Sequence, residues 1–515
     1  MATVKQLPST TNAATIIWWG KKLGSINMVM RSLFITAIAL AIYIGASASS
    51  ASASSAIAQP QNSDQAQTQS ARQAPTIEAL IDSMVSYHPY VQAINEGNYQ
   101  AAAELEIARS SFDPFIEQKT KSRVSGYYDG TNLTQRFTNP IEDFNASVFG
   151  EYRIAAGDFP SYEGYYDTLS AGEASVGVAM SLLQNREIDK RRTELRNAGL
   201  ATSQWQALAT SLINDFVYKG VSEYIAWYES ALQIQAVTEL LNAASEREKA
   251  LVTRVEKGDL ASIVLTEFKA NLLQQRLTLA ELKQKRDMHA QMLSFYWRSP
   301  NGDMLAINNE QPPNEISWPF WIGNGQLVTL RNALHSHPEL DVMKLEQQVV
   351  ENKVALADNA LLPKLDLTAS IARDVGAGSK TLEGTETKVG LSFSYPLGNR
   401  KAKADRAQLQ SKQRELAHKL TSTQQAIVQR FEQALVYWTQ AKDIVSLQSE
   451  NAALAKTLSK VEKTRFDAGD SDMFVLNARA QNEIKARIKE IKAKVDLLKA
   501  ELMLHKEAAM LHSVK

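Results

Sequence analysis

The chain has 515 residues, and its 56 Lys+Arg balance 56 Asp+Glu to a formal net charge of zero. That balance gives no reason to expect a nucleic-acid or other acidic partner, which needs a basic surplus or patch. Cysteine is absent, which excludes disulfides, Cys-ligated zinc, iron–sulfur clusters and thiol chemistry. Only 14 prolines and 23 glycines punctuate the whole chain, so the segments between turns must be long. No run after residue 60 approaches the ~18 apolar residues of a membrane-spanning helix.

Residues 1–58 read as an export signal. Arg31 precedes a short apolar core, Leu33–Ile44, and a tract of Ala and Ser follows with Ala46-Ser47-Ala48 and Ala51-Ser52-Ala53 as small-residue exit sites. Charge, short core and small-residue exit form the secretory pattern. An uncleaved anchor is the alternative, for which the core is short. A start at Met28 or Met30 would retain everything a signal needs. Residues 59–75 are polar and Gln/Ser-rich, a flexible leader, so the remainder is expected outside the cytoplasm.

The remainder is written twice. His88-Pro89 recurs as His337-Pro338, and Pro114 recurs as Pro363 at the same offset. Farther on, Trp227, Arg254, Gly258 and Asp259 recur as Trp438, Arg465, Gly469 and Asp470, all four at one common offset. Chance matches one dipeptide, not four landmarks, so the chain carries an internal duplication. The first copy spans 76–300, with an insertion between Pro114 and Gly177, a linker covers 301–326, and the second copy spans 327–512. Each copy predicts a helix (His88 to Ser111, His337 to Leu361), a β segment, and a long proline-free helix (Gln184 to Lys257, Gly398 to Ala468). A Gly-Asp turn and a returning helix, to Trp297 or Met510, complete the unit. A helix of about 70 residues is on the order of 100 Å long, a rod that no compact core needs. The two shorter helices of each copy add up to nearly the same length and are expected to stack end to end along it.

Heptads mark the rods as coiled coils. Ile444, Leu447, Asn451, Leu454, Leu458 and Val461 alternate spacings of three and four, as do Ile484, Ile488, Ile491, Val495, Leu498 and Leu502. The two arms are expected to face each other in an antiparallel hairpin closed at Gly469-Asp470. The first copy is weaker, with Val237, Leu241, Ala244, Leu251 and Val255 interrupted by Glu248.

The β segments alternate strictly. Val176, Val178, Met180 and Leu182, and likewise Val389, Leu391, Phe393 and Tyr395, are separated by small or polar residues. Leu365, Leu367, Ala369 and Ile371 do the same. One apolar face suits a half-buried sheet, or a barrel wall between lipid and a polar lumen. Twelve of the aromatic residues fall between Phe112 and Ser170, where interfacial girdles are expected. One copy cannot close such a barrel, so oligomerisation is implied.

An export signal, a duplicated helix–strand–helix unit, helices of this length and Gly-Asp hairpin tips together resemble a TolC-type outer-membrane efflux protein. The resemblance covers Thr76 to Met510. Its most specific pieces are Arg254-x-x-x-Gly258 with Leu265, Arg465-x-x-x-Gly469 with Leu476, and the His-Pro…Pro landmarks. Gly157-Asp158-Phe159-Pro160-x-Tyr162-x-Gly164, Gly172-Glu173 and Asn185-Arg186 are similar to a subgroup of that family. The resemblance implies a mainly α chain with a small β part, assembled as a homotrimer in the outer membrane of a Gram-negative bacterium. Each subunit would give four strands to a twelve-stranded barrel above a periplasmic α-helical barrel. It implies no catalysis and no cofactor, but a duct that meets a periplasmic adaptor and, through it, an inner-membrane transporter. Small-molecule efflux and protein secretion use the same architecture. The closing strand of the first copy is Ser175–Leu182, and its partner is Phe115–Ser125 or Phe144–Ile154, the former favoured.

The tips, Arg254, Gly258, Asp259, Arg465, Gly469 and Asp470, are the expected adaptor-docking residues. The pore end departs from the family pattern. Family members place Asp residues one helical turn past the second tip glycine, where this chain reads Met473-Phe474-Val475-Leu476-Asn477-Ala478. Asp259, Asp470 and Asp472 either form an anionic ring or are solvated turn residues and helix caps. Other chemistry finds no support. No HExxH pattern exists, His335-Ser336-His337 reads as polar surface at a helix entry, and Gly376-Ala377-Gly378-Ser379-Lys380 lacks phosphate-loop spacing. A periplasmic adaptor would have one coiled-coil hairpin rather than two, and a coiled-coil scaffold would not explain the signal or the strands.

Overall fold

The computed structural model describes residues 75–511 apart from 144, 161–163, 165, 308–315 and 324. The expected signal region, the leader to residue 74 and part of the inter-repeat linker lie outside the described residues.

In the first repeat, α1 (Ile77–Tyr87) and α2 (Pro89–Arg109) lead to β1 (Phe115–Arg123), β2 (Gly130–Ile141), β3 (Ala146–Gly157) and β4 (Glu173–Ser181). The long α3 (Lys190–Glu256) and the returning α4 (Ser262–Tyr296) follow. In the second repeat, α5 (Gln326–Ala333) and α6 (Pro338–Asn359) lead to β5 (Lys364–Asp374) and β6 (Thr385–Ser394), then α7 (Arg400–Asp467) and α8 (Met473–Glu507). The long helices have 67 and 68 residues, which is about 100 Å at 1.5 Å per residue.

The His-Pro landmark is a helix start. His88 Nδ1 accepts the Tyr90 amide at 3.0 Å, and His337 Nδ1 accepts the Glu339 amide at 3.2 Å. Each is followed by proline in the first turn, where the missing N–H costs nothing. His337 is buried, not the polar surface residue expected, because α6 starts inside the packed junction of the repeats. The start of α3 is fixed by Asp189, which accepts the Arg192 amide and the Arg192 Nε at 3.1 and 2.5 Å.

The helices form one layer. In the half nearer the tips α4 packs on α3, α3 on α8 and α8 on α7; in the half nearer the sheet the order is α2, α3, α6, α7. The short helices thus line the long ones in succession, as their lengths predict. Between the two halves, α1 buries Ile77, Leu80, Ile81 and Met84 against Val217, Val221, Tyr224, Ile225 and Trp227 of α3. Trp318 of the linker donates to Glu501 Oε2 of α8 at 2.6 Å, and Trp438 of α7 donates to its other oxygen at 3.4 Å. That buried carboxyl therefore ties linker, α7 and α8 together.

The heptad expectation needs correction. Of its α7 members, Ile444, Leu447, Leu454, Leu458 and Val461 stand 47–65% exposed and do not close against α8. The seam that α7 turns inward is a second heptad: Ala441, Val445, Gln448, Ala452, Ala455, Ser459, Glu462 and Phe466 are buried or half-buried. Small residues let the two helices approach closely, and the larger apolar row is left on the adjoining face. On α8, Ile484 and Ile488 join Val237, Leu241 and Leu251 of α3, and Val495 and Leu502 join Val217 and Val221. The apolar heptad of α8 therefore serves the contact between repeats rather than the hairpin.

The sheet needs correction too. Among the described residues six strands, not four, form one antiparallel meander in chain order, β1 to β6. Both candidate segments of the first repeat are strands, and the insertion supplies β2 and extends the ladder between them. An inserted hairpin adds two strands, so the alternation of direction survives.

His88 and His337 both have pKa values held below the ordinary 6.5, chiefly by burial. A depressed base binds fewer protons folded than unfolded, so its stabilising effect is present above 6.5 and lost as pH falls through the folded value. His337→Ala should cost about 1 kcal/mol through the lost cap, whereas His337→Asn should retain the cap and flatten the acid limb. Thermal unfolding measured from pH 7.5 downward checks both.

Candidate functional site: the hairpin tips and the sheet face

Both tips use one backbone device. At the first, Gly258 N donates to Val255 O at 3.0 Å and Asp259 N to Arg254 O at 2.9 Å. At the second, Gly469 N donates to Phe466 O at 3.1 Å and Asp470 N to Arg465 O at 2.8 Å. This is the paired-bond helix stop that needs a left-handed residue at its centre; Gly258 and Gly469 have φ of 81° and 84°. Arg254 and Arg465 thus stand where they do because their carbonyls take the last bonds, and they place a cation in the last turn of each helix, where it complements the negative helix end. Arg465 Nη2 also donates to Asp470 O at 3.2 Å.

The structure brings the two tips together. Phe466, Met473 and Leu476 of the second hairpin pack with Leu251, Phe268 and Leu272 of the first, and the Arg254 guanidinium lies 6.0 Å from the Phe466 ring centre. Gln481 Nε2 donates to Asn271 Oδ1 across the hairpins at 3.1 Å. Nearby on α3, burial pulls the Arg247 guanidinium below its ordinary value, and the charges of Asp467 and Glu483 oppose that pull. Asp259 and Asp470 are exposed at the tips. Asp472 caps α8, its Oδ1 accepting the Val475 amide at 2.8 Å. Sequence reasoning missed Glu462, buried in the α7 seam and hydrogen-bonded by Ser471; a lone acid within a heptad carries no local signal.

At the opposite end, pairing sorts the strands into two faces. Val176 pairs with Ile371, Val178 with Ala369 and Met180 with Leu367; these continue to Leu391 and Val389, and Leu365 pairs with Phe393. Leu182 prolongs the β4 ladder by donating to Leu365 O at 2.8 Å, and Tyr395 follows β6 directly. Val176, Val178, Val389, Leu391, Phe393 and Tyr395 are exposed. The other face is ionic. Arg136 meets Glu151 at 3.3 Å, Arg153 meets Glu173, and Lys388 reaches Glu173 at 3.2 Å and Glu386 at 2.7 Å. Lys121 Nζ donates to Tyr166 Oη at 3.3 Å on this face, beside Phe159. One greasy and one charged face is the sidedness of a wall between lipid and a watery lumen.

The flanks of the layer carry the remaining apolar surface. On one flank α4 exposes Leu273, Leu277, Met288, Met292 and Phe295; on the other α7 exposes Ile444 to Val461. Both rows have helical spacing, so each edge helix has one seam filled and one vacant.

Residues 329–508, most of the second repeat, match the model of the outer membrane efflux protein family. No curated protein matches the chain by sequence. Among solved structures, the outer-membrane channel OprN is 13% identical with a TM-score of 0.60, covering 85% of this chain and 90% of that one. The Campylobacter jejuni outer membrane channel CmeC is 14% identical with a TM-score of 0.58, covering 84% and 85%. The Vibrio cholerae outer membrane protein VceC is 12% identical with a TM-score of 0.62, covering 84% and 96%. The chain therefore has the fold of outer-membrane channels. Its second repeat is similar to the outer membrane efflux protein family.

The open space around both tip glycines, with no atom within 4 Å of an added Cβ, isolates the backbone effect. Gly469→Ala should cost about 1–2 kcal/mol from the left-handed conformation alone, and Gly469→Asn less. Hydrogen exchange at the Gly469 and Asp470 amides should accelerate accordingly while the sheet end is unchanged.

Proposed function

We propose that three copies of this chain form the outer-membrane exit duct of a tripartite efflux or type I secretion system. The duct is passive: it meets a periplasmic adaptor at its tips and, through it, an inner-membrane transporter. One observation carries the reading: a sheet with one apolar and one ionic face sits at one end of rods of about 100 Å, and both Gly-Asp tips sit together at the other. Such a molecule fits a bilayer at one end and an end-on partner at the other. The vacant seams on α4 and α7 favour lateral association of copies, since apolar rows of this extent are covered in soluble assemblies. Val176, Val178, Met180, Leu182, Val389, Leu391, Phe393 and Tyr395 face lipid in this reading. Asp259 and Asp470 ring the entrance, and Asp472 contributes its charge there while capping α8.

Three substitutions test separate parts. Leu391→Asp should cost up to about 2–4 kcal/mol near the bilayer midplane and reduce trimer recovered from the outer membrane; undiminished assembly would reverse the facing. Leu454→Asp with Leu458→Asp should abolish the trimer in detergent by filling the vacant α7 seam with charge. Arg465→Glu should leave trimer yield normal while abolishing crosslinking to the adaptor and transport. Unchanged crosslinking and transport would remove this residue from the docking surface.

A further inference from the structure

The number of strands, taken with the threefold assembly proposed above, sets the size of the barrel. We propose that this chain closes an eighteen-stranded barrel, six strands from each of three copies, and that β6 of one copy pairs with β1 of the next. The alternative is a twelve-stranded wall built of β3 to β6, with the β1–β2 hairpin set outside it.

The ladder itself favours six. β1 pairs with β2 from Phe115↔Thr138 to Arg123↔Gly130, and β2 pairs with β3 from Gly130↔Gly157 to Ile141↔Ala146, without interruption. A twelve-stranded wall would have to strip β2 from β3 along that whole length. An open sheet edge does not stand in hydrocarbon, so the free edges, β1 and β6, must find partners. Six is even, so β1 and β6 run in opposite directions, and pairing between copies continues the antiparallel order.

The flanks agree with the edges. β1 follows α2, on the side of the layer that α4 also borders, and β6 leads into α7 on the other side. Strand edges and vacant helical seams therefore lie on the same two flanks, and one neighbouring copy satisfies both. Widths agree as well. Four helix columns at about 8–10 Å spacing occupy roughly 32–40 Å of circumference. Six strands about 4.8 Å apart and tilted about 40° occupy roughly 37 Å, whereas four occupy only about 25 Å. Six strands continue the helical layer without a taper.

Side chains on the added hairpin fit the same wall. Pairing places Ile116, Gln118, Thr120 and Ser122 on the face of Leu133, Phe137, Val148 and Val178. Two polar members of that row find partners across the strands: Gln135 Nε2 donates to Gln118 Oε1 at 2.9 Å, and the Ser122 and Thr131 hydroxyls meet at 2.8 Å. Glu117, Lys119, Lys121 and Arg123 fall on the ionic face with Arg136 and Glu151, so no charge of β1 is turned to lipid.

The chain has no cysteine, so engineered pairs are the only thiols in the full-length protein. Cysteines at Gln118, Thr120 or Ser122 are combined with cysteines at Val389, Leu391 or Phe393 and oxidised in the outer membrane. Facing pairs on neighbouring strands fall within the ~4.4–6.8 Å Cα separation a disulfide accepts. At least one combination should convert monomer into a covalently closed trimer on denaturing gels, with the single-cysteine variants as folding controls. Val148→Cys with Leu391→Cys should give no crosslink between copies. Crosslinking of that pair, or a trimer in which no β1–β6 pair reacts, overturns the eighteen-stranded wall and leaves the duct standing. A detergent-extracted protein whose mass is not that of three copies overturns the threefold assembly, and the strand count with it.

Discussion

A backbone edge cannot be left open in hydrocarbon, and this chain has two. That constraint organises the rest of the molecule. The six-stranded meander ends in β1 and β6, the helical layer ends in α4 and α7, and each edge helix keeps one apolar seam unfilled. A copy in isolation satisfies neither the sheet nor the layer. In the proposed assembly the same lateral neighbour completes both, which makes the fold a segment of a ring rather than a finished unit.

Length is set by local devices at the helix ends. The His-Pro caps fix where α2 and α6 begin, and the left-handed glycines fix where α3 and α7 stop. Between these points a heptad repeats without proline, so nothing in the interior of the rods registers position. Glu501, held by Trp318 and Trp438, supplies a lateral tie between the ends. Burial raises its pKa, and the two indole bonds oppose that rise.

Much of this was legible in the sequence because duplication prints each signal twice. The His-Pro starts, the Arg-x-x-x-Gly stops and the alternating strands each repeat at fixed offsets, and each corresponds to a local hydrogen-bonding pattern. What was not legible is which neighbour a seam faces. A helix within a layer has two partners and therefore two overlapping heptads, and hydropathy sees only the larger side chains. Ile444 to Val461 drew attention, whereas the Ala and Ser seam that holds α7 to α8 was hidden by its small size. Of the first repeat's strands, Phe115–Ser125 was legible as a barrel candidate, whereas β2 was not: Thr131, Leu133, Gln135 and Phe137 mix polar with apolar residues, and the bonds of Gln135 to Gln118 and of Thr131 to Ser122 tie that row to β1.

The insertion lies in one repeat only, and this has a consequence for symmetry. At the tips the two repeats are near copies, down to the same pair of backbone bonds at Gly258 and Gly469. A ring of three such chains would present six near-equivalent tips, and an end-on partner that reads a single tip would find twice as many places as there are subunits. At the sheet the repeats contribute four strands and two, so in such a ring the pseudo-sixfold order would be lost and only the threefold would remain. One end of the proposed ring would thus seat partners in a stoichiometry that the other end could not.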